Sequence, residues 1–282
     1  MADLETRIAA AVDRDPAAVT ALVELEGGMI GRVVRAEFAD GEPVVAKTGP
    51  TPLSVEARML RTLSAAGLAV PDVYHASDDL LVMEHVEGCS EFTPAVERDA
   101  AERLARLHGH GAEAFGLSFD TLTGPVRQPN PWTDSWIEFF GEHRLDHVAR
   151  LAREDGALSE ERFDRVMELT SDLDALLSEP DSPALIHGDV WRTNVLADAG
   201  RVRAFLDPAT YYAHPEVELA YVRWTDTFGE PFFERYRELR GIEPGFEERY
   251  DVYVCYPLLV HVHVFGGRYG RKLDRTLAGL GY

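Results

Sequence analysis

The stretch from residue 184 to residue 207 constrains the fold of this chain most, because short apolar runs alternate there with polar loops. The run at 184–186 has the length of a strand, and Asp189 and Asn194 follow it, five residues apart. Two further apolar runs come next, and Asp207 stands directly after the second. The pattern predicts a strand, a polar loop, a hairpin, and an aspartate at the end of the hairpin.

Phosphoryl transfer requires side chains of this kind. A carboxylate must orient and deprotonate the attacking hydroxyl, and oxygen ligands must hold Mg²⁺ on the nucleotide phosphates. The separation of Asp189 from Asn194, followed by Asp207 after a hairpin, is the arrangement that kinase folds use. The alternative is that Asp189 and Asn194 satisfy backbone groups of the loop. The pattern favours the kinase interpretation. A kinase would also need nucleotide-binding features in the earlier part of the chain, and each such demand can be checked against the sequence.

One demand is a lysine on an apolar strand, placed to hold the α- and β-phosphates. Lys47 ends the run Val44-Val45-Ala46-Lys47, in a chain whose 28 basic residues include only one other lysine. Glu56, near the start of the next predicted helix, is the expected ion-pair partner, and Glu42 is the alternative. Glu56 can also be an exposed acid that is favourable to the helix dipole.

A second demand is a backbone segment that binds adenine. Glu84, His85 and Val86 fall where the strand-rich part of the chain meets the helix-rich part. There the carbonyl of Glu84 and the N–H of Val86 can hydrogen-bond the base, which predicts an adenine site independent of side chains.

A third demand is a flexible turn over the phosphates. Gly27, Gly28 and Met29 belong to a glycine-rich turn between two predicted strands and are the candidates. The turn does not match G-x-G-x-x-G, and its glycines can serve a hairpin turn alone.

The distribution of patterns predicts two lobes. Up to residue 86, strand-like runs predominate with one main helix over 54–66, whereas the later chain is mainly helical. Predicted helices cover 93–109, 132–152, 159–178, 214–227, 230–239 and 246–265. We therefore predict an α+β protein with a small antiparallel-sheet lobe that binds ATP (1–86) and a larger, mostly helical lobe for catalysis and substrate binding (87–282).

Composition argues against several classes of partner. The chain of 282 residues has 49 acidic and 28 basic residues, so its net charge is −21, and nucleic acid and membrane surfaces are not expected partners. Its two cysteines suit neither a disulfide framework nor a zinc site. The sequence has no apparent signal peptide and no apolar run of ~20 residues, so we expect a cytoplasmic protein. Many carboxylates with almost no lysine resemble the composition of halophilic proteins.

These motifs together resemble those of the fructosamine kinase (ketosamine-3-kinase) family, a branch of the aminoglycoside-phosphotransferase-like, protein-kinase-like fold. Residues 187–194 are similar to the family's His-Gly-Asp-Leu-Trp-x-x-Asn, and residues 206–214 to its Ile-Asp-Pro-Ala-x-Tyr-Tyr-Gly-His. Residues 132–145 match the family's Trp-x-x-Phe-Phe-x-x-x-Arg-Leu segment. Residues 256–269 match a family helix that ends in Phe-Gly-Gly-x-Tyr.

The resemblance implies ATP-dependent phosphorylation of the sugar 3-hydroxyl of a fructosamine or ribulosamine, on a small molecule or on a glycated protein lysine. The 3-phosphate breaks down and frees the amine, so the reaction is a deglycation repair. By the same resemblance, Asp189 is the catalytic base, and Asn194 and Asp207 are the Mg²⁺ ligands. Lys47, backed by Glu56, holds the phosphates. The resemblance leaves the oligomeric state open.

Three residues are candidates for the substrate pocket. Trp191 can stack on a sugar or brace the catalytic loop, and Tyr212 can shape the cleft or pack in the core. His263, like His261, can line the pocket from a helix. Alternatives for the whole chain are another small-molecule kinase, of the aminoglycoside or choline type, and a nucleotide-binding pseudokinase. A protein kinase is disfavoured, because Pro208 and not Phe-Gly follows the last aspartate.

Overall fold

The structure is a computed structural model that describes residues 3–25 and 31–282. Its N-terminal part is a five-stranded antiparallel sheet with the strand order β1-β2-β3-β5-β4. The elements of this part are, in chain order, α1 (Leu4–Ala11), β1 (Val19–Glu24), β2 (Arg32–Phe38), β3 (Val44–Thr48), α2 (Leu53–Ala65), β4 (Val73–Ala76) and β5 (Leu81–Glu84). The helix predicted over 54–66 corresponds to α2.

Alternating side chains give this sheet two apolar faces, because successive residues of a strand point to opposite sides. On one face, Val44 belongs to a buried cluster that includes Ile8 of α1. On the other face, Val45 belongs to a cluster that includes Leu60 of α2. Lys47 stands two residues after Val45 on β3 and therefore lies on the α2 face.

The remainder of the chain is mainly helical. Its helices are α3 (Pro94–Leu107), α4 (Trp136–Phe140), α5 (His147–Glu154), α6 (Glu160–Ser171), α7 (Leu173–Leu176), α8 (Glu216–Trp224), α9 (Glu230–Arg240), α10 (Phe246–Phe265) and α11 (Arg268–Leu280). Its strands are β6 (Thr121–Thr123), β7 (Val126–Gln128), β8 (Ala184–Ile186), β9 (Val195–Asp198), β10 (Arg201–Phe205) and β11 (Tyr211–Ala213). The antiparallel pairs are β6 with β7, β8 with β11, and β9 with β10. The predicted α+β class is confirmed, whereas the lobe boundary at residue 86 stays a prediction.

The helix predicted over 132–152 begins later and changes its geometry. The Ser135 side chain accepts the N–H of Glu138 at 3.1 Å, and this cap begins α4 at Trp136. A π-helical stretch, Gly141–Asp146, then joins α4 to α5. Neither the cap nor the change of helix type is visible in the periodicity of the sequence.

Arg144, on the π-helical stretch, is a fully buried cation. Its guanidinium lies 3.9 Å from the centroid of the Tyr211 ring and donates to the carbonyl of Pro129 at 2.8 Å and to Asn130 Oδ1 at 2.6 Å. The arginine of the Phe-Phe-x-x-x-Arg-Leu segment therefore ties β11 to the loop that precedes α4.

Some elements escaped the sequence analysis. Strands β6, β7 and β11 have three residues each, too few for an alternating pattern to be recognised. Helix α11 follows Gly266 and Gly267, which both have positive φ and end α10. The segment predicted as one helix over 159–178 is divided into α6 and α7.

Candidate active site

The loop after β8 turns sharply at Gly188, whose φ is +88°. A Cβ atom on this residue would lie 2.2 Å from the carbonyl oxygen of Ala209. Only glycine fits, because other residues rarely adopt this φ and the space for a side chain is absent at this position. The N–H of Ala209 donates to the carbonyl of His187 at 2.9 Å. The loops that carry Asp189 and Asp207 therefore lie against each other.

Asp189 is held through both of its carboxylate oxygens. The Asn194 side-chain amide donates to Oδ2 at 2.9 Å and to the Asp189 backbone carbonyl at 3.0 Å. The hydroxyl of Tyr221, on α8, donates to Oδ1 at 2.6 Å. Burial raises the pKa of Asp189 to about 7, although these two hydrogen bonds act in the opposite direction. The carboxyl group therefore titrates near neutral pH.

Lys47 joins two carboxylates that are far apart in the sequence. Its Nζ lies 2.7 Å from Glu56 Oε1 and also donates to Asp207 Oδ1. Burial alone would lower the pKa of Lys47, but the carboxylates of Asp207 and Glu56 raise it, so the amine stays charged. Burial raises the pKa of Glu56, and the ammonium group opposes this shift. The structure pairs Lys47 with Glu56 and not with Glu42.

Asp207 adopts a backbone conformation that is rare for a residue with a side chain. Its φ is +52°, in the left-handed region. The preceding residue, Leu206, donates its N–H to the carbonyl of Asn194 at 2.8 Å. Non-glycine residues held in such conformations are concentrated at functional sites, because the surrounding structure has to maintain the strain.

These side chains line one cleft of about 860 Å³, which has walls from the sheet and from the helical part. The cleft residues include Lys47, Glu56, Asp189, Trp191, Asn194 and Asp207. The structure thus brings together the predicted acids, amide and lysine, and it places Trp191 beside them.

A second, smaller cavity adjoins Asp189. Its wall includes Tyr211, Tyr221, Tyr256 and His261, and we call it the tyrosine cavity. Asp189 also lines the first cleft, so this residue borders both spaces.

Two predicted substrate residues, Tyr212 and His263, line neither space. Tyr212 alternates with Tyr211 on β11, so only Tyr211 faces the tyrosine cavity. His263 stands two positions after His261 on α10, and a helix turns far enough in two residues to direct it elsewhere. Its Nδ1 lies 3.5 Å from Asp155 Oδ2. Tyr211 and His261 occupy the wall, and the substrate roles of Tyr212 and His263 stay predictions.

The predicted adenine segment follows directly on β5. Glu84 ends this strand, and His85 and Val86 come after it, all three partly buried. They are not among the residues that line the cleft, so their role stays a prediction. The predicted phosphate turn, with Gly27, Gly28 and Met29, lies outside the described residues.

Glu218, a buried carboxylate on α8, was not among the site residues predicted from the sequence. Its carboxylate accepts the backbone N–H of Gly188 at 2.6 Å and that of His187 at 3.3 Å. Nε2 of His108 lies 2.8 Å from the same carboxylate. Burial alone would raise its pKa, but the hydrogen bonds and the His108 ring lower it overall. Glu218 therefore anchors the loop of Asp189 as an anion. The available signal was an acid inside the apolar run Val217-Glu218-Leu219-Ala220.

A cluster outside these two spaces has the composition of a metal site: His214, Glu216 and Glu243. His214 Nδ1 accepts the N–H of Glu216 at 3.1 Å, so Nε2 carries the ring proton and has no lone pair for a metal. The Glu216 carboxylate accepts two hydrogen bonds from the Arg249 guanidinium, from Nη2 at 2.6 Å and from Nε at 2.7 Å. The cluster is therefore a structural hydrogen-bond network.

The two-part arrangement of sheet and helices around this cleft is a protein-kinase-like fold. The structure of the aminoglycoside phosphotransferase APH(4)-Ia, solved with AMP-PNP and hygromycin B, is similar to this one, with a TM-score of 0.70. The similarity covers 98% of this chain and 97% of that one. At 15% sequence identity, this likeness establishes the fold alone.

The family follows from closer matches. The sequence profile described as fructosamine kinase matches residues 4–280. A Thermobifida fusca protein assigned as a fructosamine-3-kinase is 31% identical, with a TM-score of 0.87 over 99% of this chain and 98% of that one. The chloroplastic protein-ribulosamine 3-kinase of Arabidopsis thaliana is 30% identical over 78% of this chain and 69% of its own length. A probable ketoamine kinase of Synechocystis is 37% identical over 62% of this chain and 59% of its own length. This chain belongs to the fructosamine kinase family.

Proposed function

We propose that this chain is an ATP-dependent kinase that phosphorylates the 3-hydroxyl of ketosamines, that is, of fructosamines or ribulosamines. One observation carries the proposal: Lys47, Asp189, Asn194 and Asp207, which are spread over 160 residues, line a single cleft in a member of the fructosamine kinase family. The names of the relatives supply the substrate class, and the cleft supplies the groups for phosphoryl transfer.

In the proposed reaction, Asp189 orients the 3-hydroxyl and accepts its proton. The hydroxyl oxygen forms a bond to the γ-phosphorus of ATP, while the bond from that phosphorus to the bridging oxygen breaks and ADP leaves. Lys47, aligned by Glu56, holds the α- and β-phosphates, and Glu84 to Val86 bind adenine. Burial supports the role of Asp189, because a pKa near 7 makes its carboxylate a stronger base than an exposed one.

The residues present fit a magnesium ion. Mg²⁺ prefers hard oxygen ligands, and the proposed pair offers a carboxylate from Asp207 and an amide oxygen from Asn194. The amide nitrogen of Asn194 donates to Asp189, so the amide oxygen of Asn194 is available to bind a metal ion. When bound, the ion would neutralise charge on the transferred phosphate.

We also propose the cellular setting. Breakdown of the 3-phosphate would free the amine, so the reaction would serve deglycation of small molecules or of protein lysines. ATP dependence favours the cytoplasm, and the charge of −21 with two lysines favours a salt-adapted host. Within residues 3–25 and 31–282, no helix combines the length and apolar character needed to cross a membrane. We assign ATP binding to residues 1–86, and catalysis and substrate binding to residues 87–282.

The test is ADP release with Mg-ATP at high salt, with fructosyl-lysine and ribulosyl-lysine compared with choline, an aminoglycoside and free sugars. We expect turnover of a ketosamine, and Asp189→Ala should reduce it by about 10²-fold or more while ATP binding is retained. Turnover of another acceptor alone would keep the Asp189 mechanism and overturn the substrate. Full activity of Asp189→Ala would overturn the mechanism, and ATP binding without any turnover would indicate a pseudokinase.

A further inference from the structure

Helix α8 holds Asp189 from two directions. Glu218 and Tyr221 are three residues apart and therefore lie on the same face of α8. Glu218 accepts the backbone N–H of Gly188, while Tyr221 donates its hydroxyl to Asp189 Oδ1 at 2.6 Å. Asn194 occupies Oδ2. Each carboxylate oxygen of Asp189 thus accepts one side-chain hydrogen bond and keeps acceptor capacity, and Oδ1 is the oxygen beside the Tyr221 hydroxyl.

The direction of this hydrogen bond decides what Tyr221 can offer to a substrate. Burial and the neighbouring Asp189 carboxylate raise the pKa of Tyr221 well above its ordinary value, so the phenol keeps its proton. A phenol has one proton to donate, and here it is given to Asp189. The phenol oxygen retains acceptor capacity, and Tyr221 lines the tyrosine cavity together with Asp189.

Three other ring side chains of the cavity wall make no hydrogen bond to Asp189. The hydroxyl of Tyr256 accepts from Gln128 Nε2 at 2.6 Å. Nδ1 of His261 lies 2.7 Å from the carbonyl of Pro257 on its own helix. The hydroxyl of Tyr211 has no hydrogen-bond partner among the described residues. Tyr221 is thus the wall residue whose hydroxyl is bonded to the proposed base.

We propose that Asp189 and Tyr221 together recognise a vicinal diol. Asp189 Oδ1 takes the proton of the hydroxyl that is phosphorylated, and the Tyr221 oxygen accepts a hydrogen bond from the hydroxyl on the next carbon. The 2.6 Å between the two protein oxygens resembles the close separation of the oxygens in a gauche vicinal diol. Tyr221 is then a specificity residue for polyol acceptors.

For a ketosamine, the second hydroxyl is the one at carbon 4. Carbon 4 carries a free hydroxyl in the open-chain and ring forms of both fructosamines and ribulosamines, whereas carbon 2 carries one only in the ring forms. The phosphoryl group goes to the oxygen at carbon 3, ADP leaves, and the proton of that oxygen goes to Asp189. Because it takes Asp189 as the base, this inference rests on the proposed function.

The test compares a fructosyl-amine with its 4-deoxy analogue, for the wild type and for Tyr221→Phe. The wild type should lose about tenfold in kcat/KM on the 4-deoxy compound, because one hydrogen bond is lost. The Tyr221→Phe variant should have the same kcat/KM for both compounds, whatever that value is relative to the wild type. For each protein, the measured quantity is the ratio of kcat/KM for the fructosyl-amine to kcat/KM for its 4-deoxy analogue. A general disturbance of Asp189 would slow both substrates alike and leave this ratio unchanged, whereas loss of recognition by Tyr221 would abolish it. Tyr256→Phe removes another hydroxyl from the wall and should keep the tenfold ratio.

The outcomes are distinct. A wild type that does not discriminate between the compounds, or a Tyr221→Phe variant that keeps the ratio, overturns the diol proposal and leaves the ketosamine kinase standing. Absence of turnover with the parent fructosyl-amine and with its ribulosyl counterpart overturns the proposed function itself, and the diol proposal with it. A melting temperature of Tyr221→Phe close to that of the wild type verifies that the variant is folded.

Discussion

The carboxylate of Glu218 accepts the backbone N–H of Gly188 at 2.6 Å, although 30 positions separate the two residues in the chain. Gly188 has a conformation that only glycine adopts easily, and Asp189 follows it directly. Glu218 is buried and also contacts His108, so its position is fixed from both sides. The orientation of the proposed base therefore depends on a residue that does not line the cleft between the sheet and the helices.

Glu218→Gln should reduce both stability and turnover. An amide offers one acceptor oxygen in place of two, and its NH₂ group would face the N–H of either Gly188 or His187. We expect a loss of about 2 kcal/mol in the free energy of unfolding, and a decrease of at least about tenfold in kcat because Asp189 is displaced. Urea titration and steady-state kinetics measure the two effects.

The matched control is Glu216→Gln, two residues earlier on α8. Glu216 is also buried and paired, but with Arg249 and not with the loop of Asp189. The Glu216→Gln variant should be less stable than the wild type but keep the wild-type kcat at temperatures where it is folded. Equal kcat losses in the two variants would contradict the anchoring role of Glu218.

Lys47→Met should weaken ATP binding and destabilise the protein. It removes the cation between Glu56 and Asp207, which leaves one largely buried and one half-exposed carboxylate without a partner. Breaking a buried pair costs about 3–5 kcal/mol, and we expect the lower end here because Asp207 reaches solvent. The KM for ATP should rise at least about tenfold from the loss of one charged hydrogen bond. Lys272→Met changes the other lysine of the chain and should leave the KM for ATP unchanged; a similar rise in both variants would argue against a specific role of Lys47.

The pKa of Asp189 links stability to pH. An aspartate has a pKa of about 3.9 in an unfolded chain, and burial raises that of Asp189 to about 7 in the folded protein. Between these values the folded state holds a proton that the unfolded state has released, so stability falls as pH rises. The decrease approaches about 1.4 kcal/mol per pH unit and ends above the folded pKa.

Asp189→Asn removes this titration. The stability of the wild type relative to this variant should therefore decrease from pH 5 to about pH 8 and stay level above that. Urea titrations of both proteins at each pH, without nucleotide or Mg²⁺, give the difference directly. A constant difference across this range would mean that the carboxylate is already ionised at low pH, contrary to its buried position.

Salt should stabilise this protein. A net charge of −21 opposes compaction, and dissolved ions screen that repulsion. The melting temperature should rise as KCl increases from about 0.1 M to about 1 M, where the screening length falls from about 10 Å to about 3 Å. A melting temperature that is flat or falls over this range would show that the acidic surface does not limit stability.

Much of the site was predictable because its residue types stand in fixed positions relative to strands. Asp189 and Asn194 share one loop, and Asp207 follows a hairpin, so local spacing was sufficient to propose their proximity. Lys47 could be proposed as a partner because lysine is so rare in this chain. The sheet and the long helices were predictable because alternating and helical periodicities are properties of local sequence.

The sequence by itself determined which residues carry the proposed chemistry, since glycine, carboxylate, amide and lysine side chains at these positions have few substitutes. Only the tertiary structure decided which residues support them. Glu218 and Tyr221 reach the Asp189 loop through the packing of α8, and Tyr211 and His261 rather than Tyr212 and His263 face the cavity because strand and helix orientations are set by the core. Contacts between distant segments depend on how the elements pack, and local periodicity contains no record of that packing.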